Sequence, residues 1–133
     1  VSTQSTGGCL FLTNEEHYKE PYEDSNEYED DDACYGRNDL KFVIALNLKT
    51  VPQYFFCESS LQLAFMPKVE SITGHAFEYC PLVVICFLKT KKVGQFAFGS
   101  CKELVRIFLP LCEELDEYCF CECENIKILN LPL

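Results

Sequence analysis

The sequence predicts a β-rich solenoid, a curved right-handed stack of about 4–5 coils in which a strand is followed by a short second strand or turn. Two observations predict this fold class. Apolar residues recur with a period of 21–22 residues, in units that begin near residues 40, 61, 82, 104 and 126. The start of each unit alternates between apolar and other residues, which is the pattern of a strand.

Seven positions of the unit recur at fixed spacing in four successive units. In the unit that begins at residue 104 they are Leu104, Ile107, Leu109, Pro110, Leu115, Phe120 and Cys123. One coil cannot bury its apolar face alone, so stacked coils must share one continuous core. A period of roughly 20–29 residues with this apolar spacing is typical of leucine-rich repeats. The prediction is therefore a leucine-rich-repeat solenoid.

The unit L-x-x-I-x-L-P-x-x-x-x-V-x-x-x-A-F-x-x-C resembles the BspA-type leucine-rich repeat over residues 33–133. The sequence departs from the pattern at a few positions. Ala64 stands at a branched aliphatic site, Leu46 and Leu88 stand at the proline site, and Ser59 stands at the cysteine site. The resemblance implies a curved solenoid that binds proteins or surfaces, and it implies no enzyme activity.

Each coil is predicted to begin with a strand that ends at the proline site, because proline cannot donate to a strand ladder. The second half is predicted to be a short strand or turn that leads into an irregular or 3₁₀ segment. Residues 33–39 look like the end of an earlier unit, with Tyr35 at the aromatic position and Asn38 at the cysteine position. The unit from Ile126 lacks its second half, so we expect either further chain or a partner against its strand.

Residues 1–32 are predicted to form an acidic N-terminal segment ahead of the repeat array of residues 33–133. The small polar residues 1–8 predict a frayed end. The short apolar run from Cys9 to Leu12 could be the strand of a degenerate first coil.

The acidic stretch from residue 13 to residue 32 carries ten carboxylates and the tyrosines Tyr18, Tyr22 and Tyr28. Charge runs of this kind are usually solvated. The alternative is a docking segment that uses its tyrosines on a basic partner or on the lysines of the solenoid. The acids lack the order and the glycine of a calcium-binding loop, so no calcium site is predicted.

The ten cysteines predict structural thiols rather than disulfides or a metal site. Cys80, Cys101 and Cys123 share one repeat position, and side chains stacked in parallel suit disulfide geometry poorly. Cys119 and Cys121 alternate with Cys123 instead of forming C-x-x-C pairs, so we predict no metal and no cofactor. Reduced thiols favour the cytoplasm, with a cell-surface or secreted location as the alternative.

The formal net charge of −10 comes from the N-terminal third of the chain. Residues 1–39 hold eleven acids against Lys19 and Arg37, whereas residues 40–133 hold ten acids against nine bases. Phosphate backbones would be repelled, so we expect no nucleic-acid partner. No apolar run is long enough for a membrane span, so we expect no membrane insertion.

Strand alternation places the third and fifth residues of each unit on the outer, concave face of the sheet. We call these ten residues the strand face, and they are Phe42, Ile44, Leu63, Phe65, Val84, Cys86, Arg106, Phe108, Ile128 and Asn130. Eight of the ten are apolar, which is unusual for a solvated surface and predicts a binding site. No catalytic constellation is apparent, since Glu113 and Glu114 are adjacent in a turn and His75 has no evident partner.

The sequence therefore predicts a protein-interaction module that binds a protein partner on the strand face, and it predicts no enzyme. Two alternatives remain open at this point. One is a cell-surface or secreted adhesion protein, and the other is a structural array that associates with itself.

Overall fold

The computed structural model of the chain describes residues 3–12 and 34–132. The proposed docking tyrosines Tyr18, Tyr22 and Tyr28 lie outside this part. The described residues contain the strands β1 (Thr3–Thr6), β2 (Cys9–Leu12), β3 (Phe42–Ala45), β4 (Thr50–Val51), β5 (Leu63–Phe65), β6 (Ser71–Ile72), β7 (Val84–Cys86), β8 (Lys92–Val93), β9 (Arg106–Phe108), β10 (Glu114–Leu115) and β11 (Ile128–Asn130). Helices that could cross a membrane are absent from this described part.

The strands stack as a β-solenoid, which confirms the predicted fold class. The first strands of the units lie on one side, in the orders β2–β3–β5 and β7–β9–β11, and all of these pairs are parallel. The second strands β4, β6, β8 and β10 form a separate parallel sheet. Equivalent residues of successive units lie opposite each other, as Val43 does to Ala64. The repeat period thus sets the register directly.

The core is built from ladders of equivalent side chains that run along the solenoid. Its aromatic ladder consists of Phe56, Phe77, Phe98 and Phe120. Ring centroids are 5.3 Å apart in the first two steps and 5.5 Å apart in the third, and neighbouring planes are inclined by less than 10°. Phe56, Phe77 and Phe98 are fully buried and Phe120 is half-buried. Full burial of one such ring contributes about 1.5–3 kcal/mol, so this ladder is a main source of stability between coils.

The segment after each second strand is a series of turns rather than a 3₁₀-helix. Each turn segment in the coils from residues 40 to 123 contains two non-glycine residues with positive φ, as at His75 (58°) and Tyr79 (62°). This left-handed conformation turns their amides toward the next coil. His75 N donates to Gln95 O at 2.9 Å, and Tyr79 N donates to Gly99 O at 2.9 Å. Backbone bonds between coils therefore compensate the local strain of about 1 kcal/mol per left-handed residue.

The prediction of a frayed N-terminus over residues 1–8 is wrong for the part that is described. β1 pairs antiparallel with β2, and the connecting Gly7 and Gly8 have φ values of +60° and +82°. Two consecutive glycines with positive φ form a tight hairpin turn at little conformational cost. β2 in turn lies parallel to β3 in the repeat register, with Leu10 opposite Val43.

The predicted alignment of residues 33–39 is also wrong. Gly36 N donates to Cys57 O at 2.9 Å, and the matching bond one coil later runs from Glu58 N to Glu78 O. Gly36 therefore corresponds to Glu58, which places Cys34 rather than Tyr35 at the aromatic position. Cys34 is buried, whereas Tyr35 and Asn38 are exposed. The spacing here is 22 residues instead of 21, and a sequence alignment without hydrogen bonds cannot decide where the extra residue lies.

Candidate protein-binding face

The strand face arises because inward and outward side chains alternate along the first strands. In β3, Val43 and Ala45 are buried in the core, while Phe42 and Ile44 point away from it. The inward residues Ile85 and Ile107 of β7 and β9 are likewise buried, Ala64 of β5 is half-buried, and in β11 all three residues are exposed. Seven strand-face residues are exposed, and they are Phe42, Leu63, Phe65, Cys86, Arg106, Ile128 and Asn130. The other three, Ile44, Val84 and Phe108, are half-buried.

Strand pairing within β3–β5 and within β7–β9–β11, together with the contact between β5 and β7, arranges these residues in two parallel rows along the solenoid. One row contains Phe42, Leu63, Val84, Arg106 and Ile128, and the other contains Ile44, Phe65, Cys86, Phe108 and Asn130. Within each parallel pair the neighbours lie directly opposite each other, as Ile44 does to Phe65. Side chains of adjacent strands in such rows pack against one another. The structure therefore brings the ten predicted residues together on one side of the molecule.

The structure extends this face by residues that the sequence analysis did not assign to it. Phe11 is exposed and lies opposite Ile44, so it continues one row onto β2. Leu46 and Leu88 follow the strands and are 52% and 57% exposed. Both leucines stand at the proline site of the repeat. Leucine in place of proline at this site is the sequence feature that could have indicated their position on the face.

A seam crosses the middle of the strand face between β5 and β7. These strands are neighbours, yet they belong to different hydrogen-bonded sheets. Beside this seam, Val83 N donates to Gln62 O of the preceding coil at 3.4 Å. The seam coincides with the bulky core residue Phe87, which lies 6.0 Å from Phe77 and 6.3 Å from Phe98 between ring centroids. The second-strand sheet continues without a break through the same coils.

The predicted thiol ladder is present, and its thiols act as hydrogen-bond donors. Cys80 Sγ donates to Phe56 O at 2.8 Å, and Cys101 Sγ donates to Phe77 O at 3.2 Å. Cys123 Sγ donates to Phe98 O at 3.0 Å. Burial raises the pKa of Cys80 to about 12. These thiols hold buried carbonyls between coils, which explains why cysteine and not only an apolar residue recurs at this site.

A second aromatic ladder lies on the turn side of the solenoid. Its rings belong to Tyr54, His75, Phe96 and Tyr118, with centroids 4.6 to 5.2 Å apart. His75 Nδ1 lies 2.6 Å from Glu78 Oε2, so the histidine does have an acidic partner that the sequence analysis missed. The two residues are three apart in one turn, which is too local a pattern to distinguish from chance in a sequence. His75 stacks on Tyr54 and Phe96, and Glu78 N donates to His75 O within the turn, so the arrangement serves packing between coils.

The described residues contain no cluster of three or more histidine, cysteine or acidic side chains that could hold a metal ion. The strand face is a surface of exposed apolar side chains on adjacent strands, as Leu63 and Phe65 show, and such a surface suits contact with a macromolecule.

The fold and this face define a leucine-rich-repeat scaffold. A comparison with family models gives the assignment directly, since the model described as "BspA type Leucine rich repeat region (6 copies)" matches residues 30–133. The chain belongs to this family, which confirms the resemblance seen in the repeat unit. A search of curated proteins and a search of solved structures each found no match. The family is a repeat-scaffold type, in keeping with a role in protein interaction.

Proposed function

We propose that this chain is a recognition module that binds a partner protein on its strand face. The observation that carries the proposal is the exposure of large apolar side chains in adjacent rows. Leu63 is 48% exposed and Phe65 is 57% exposed, and both continue into apolar neighbours on β3. Contiguous exposed apolar surface of this kind is typical of interaction sites. Arg106 lies between Val84 and Ile128 on the neighbouring strands, and arginine within an apolar surface matches the composition of interface hot spots.

Self-association through the same region is a second candidate function. The exposed apolar rows that suit a different protein also suit a second copy of this chain, since Leu63 and Phe65 on β5 continue into Phe42 and Ile44 on β3. Contiguous exposed apolar surface also marks contacts between copies of one chain.

For the compartment, we propose the cytoplasm, with a cell-surface or secreted location as the alternative. The support is the chemistry of the thiol ladder, in which the thiols of Cys80, Cys101 and Cys123 each donate to a carbonyl. This arrangement needs reduced sulfur, which the cytoplasm maintains.

A selection that assumes no particular partner tests the proposed function. Random peptides displayed on phage are selected on the wild-type protein, and the enriched peptides are measured by fluorescence anisotropy on the double variant Phe65→Ser/Phe108→Ser. We expect binding to weaken by about tenfold or more, because truncation of central aromatic anchors removes the largest contributions to an interface. The matched control is Tyr79→Ser/Tyr118→Ser, which removes two exposed aromatic side chains outside the strand face.

The proposal is wrong if the selected peptides bind the strand-face variant and the control variant equally well. Light scattering after size exclusion, at several concentrations, separates the second candidate. A dimer that dissociates in Phe65→Ser/Phe108→Ser but not in the control would favour self-association. A monomeric wild type that binds selected peptides favours recognition of another protein.

A further inference from the structure

The border of the strand face is basic on one side and mixed on the other. In the units that begin at residues 40, 61 and 82, the loops between the first and second strands carry Lys49, Lys68, Lys89 and Lys91, and Lys92 is the first residue of β8. We call these five residues the lysine border. Over residues 46–50, 67–71 and 88–92, Glu70 is the single carboxylate. At the other end of the strands, Asp39 and Glu103 stand close in sequence to Lys41 and Lys102.

Most of the lysine border is not neutralised by the described part of the solenoid. Lys92 Nζ lies 3.0 Å from Glu114 Oε2, which is an exposed ion pair. Lys68 Nζ donates to Asn47 Oδ1 at 3.2 Å, a neutral acceptor in the preceding coil. Lys49, Lys89 and Lys91 form no ion pair with any residue that the structure describes, and all three are exposed.

The lysine border is continuous with the exposed apolar surface. Phe65 is followed by buried Met66, half-buried Pro67 and exposed Lys68. Leu88, itself more than half exposed, directly precedes Lys89. A ligand that covers the strand face and reaches beyond the ends of the strands must therefore meet positive charge. Lysines at the rim of an apolar surface attract carboxylates and reject other cations.

We propose that the strand face binds a protein segment in which apolar side chains are flanked by acidic residues, with the carboxylates placed on the lysine border. This inference rests on the proposed function and names the chemistry of its partner. The apolar side chains of the segment would lie on rows such as Leu63 and Phe65, and the acids would follow toward Lys68 and Lys89.

An anionic membrane surface fits the same lysines less well. In the last complete coil, Glu113 and Glu114 stand at the positions equivalent to Lys91 and Lys92. A flat anionic surface would meet these carboxylates together with the lysines and would be repelled there. A peptide segment can contact the coils that begin at residues 40, 61 and 82 and avoid the coil that begins at residue 104, so the charge pattern favours a protein ligand.

The test uses the full chain and a fluorescent random copolymer of glutamate and tyrosine as the probe, followed by anisotropy. We expect the probe to bind, to bind more weakly as salt is raised, and to bind about tenfold more weakly to Lys68→Glu/Lys89→Glu at low salt. The matched control Lys102→Glu/Lys127→Glu changes net charge equally at the other end of the strands, and we expect less than about a twofold effect there. Circular dichroism verifies that both variants fold.

Three results would overturn the inference. Equal weakening in both charge variants would mean that net charge alone attracts the probe. Equal binding of polyglutamate without tyrosine would mean that the apolar rows do not contribute. Displacement of the probe by anionic phospholipid vesicles, but not by neutral ones, would assign the border to lipid instead. If phage-selected peptides still lose affinity for Phe65→Ser/Phe108→Ser under any of these results, the proposed function stands without this partner chemistry.

Discussion

Single residues set the limits on how closely successive coils can stack. Gly94 is the clearest case, because a Cβ atom added there would lie 2.6 Å from Gly74 N and 2.8 Å from Thr73 C. Both atoms are backbone of the preceding coil and cannot move aside as a flexible side chain would. Its amide also donates to Ile72 O at 2.7 Å, which holds the two coils at this distance. The glycine is required here by close approach rather than by its φ angle.

We expect Gly94→Ala to lower the free energy of unfolding by about 2–3 kcal/mol, since the clash forces backbone of two coils apart. Gly36→Ala is the matched control, because Gly36 has a φ of +66° but no atom within 4 Å of the added Cβ. Only the left-handed conformation opposes that change, at about 1 kcal/mol. Urea denaturation followed by circular dichroism measures both. Equal losses in the two variants would contradict the close-approach argument.

At the scale of elements, the seam between β5 and β7 distinguishes two otherwise equivalent steps of the stack. Phe87 N donates to Phe108 O at 3.1 Å, and Leu109 N donates to Asn130 O at 2.9 Å. Met66 stands at the same repeat position, yet its amide makes no such bond to the next coil among the described residues. The two halves of the strand face are therefore joined less tightly than the coils on either side.

We expect the amide hydrogen of Met66 to exchange with solvent about tenfold or more faster than that of Phe87, because opening the seam breaks fewer hydrogen bonds. Hydrogen exchange followed by NMR at single amides checks this expectation. Val93, which lies in the unbroken second-strand sheet of the same region, provides an internal reference for a protected amide. Similar protection at Met66 and Phe87 would show that the seam closes in solution.

For the whole molecule, the buried thiols make stability depend on pH in the alkaline range. Burial raises the pKa of Cys80 from 9.0 to about 12, and it raises the pKa of Cys34 to about 11. Because the pKa of such a thiol is higher in the folded chain than in the unfolded chain, the unfolded chain loses the thiol proton first as the pH rises. Folding is therefore fully favoured only where the thiol is protonated in both states. The stabilisation is therefore complete below a pH of about 9 and is lost as the pH rises toward 12.

We expect wild type to lose about 1 kcal/mol of unfolding free energy between pH 8 and pH 10 from Cys80 alone. Cys80→Ser retains a donor for Phe56 O but does not ionise in this range, so its loss over the same interval should be smaller by that amount. Urea midpoints at the two pH values give the comparison, with Cys86→Ser as a control that removes a thiol outside the core. An identical loss of unfolding free energy in wild type and Cys80→Ser would show that this prediction is wrong.

The repeat pattern predicted most of the architecture because equivalent residues occupy equivalent places in every coil. Positions such as Leu82, Ile85 and Phe98 recur at fixed spacing, and all three are buried in the core. The strand-face residues followed from the same period, since strand alternation alone decides which side chains point outward. Where a sequence is regularly periodic, the position of a residue in its unit identifies its neighbours in the adjacent coils.

Features that break the period were not predictable in the same way. Cys34 replaced Tyr35 at the aromatic position because a 22-residue step shifts the hydrogen-bond register, and no local signal locates the extra residue. The hairpin of β1, the acidic partner of His75 and the seam beside Phe87 likewise depend on contacts with other parts of the chain.

The sequence by itself thus determined the solenoid, its core ladders and the apolar rows of the strand face, because these follow from a period and from strand alternation. The tertiary structure alone decided where coils approach too closely for a side chain, where the sheet divides, and which lysines border the apolar surface without an acidic neighbour in the described residues. These features depend on the distances between coils, and those distances cannot be deduced from the spacing of residues within one coil.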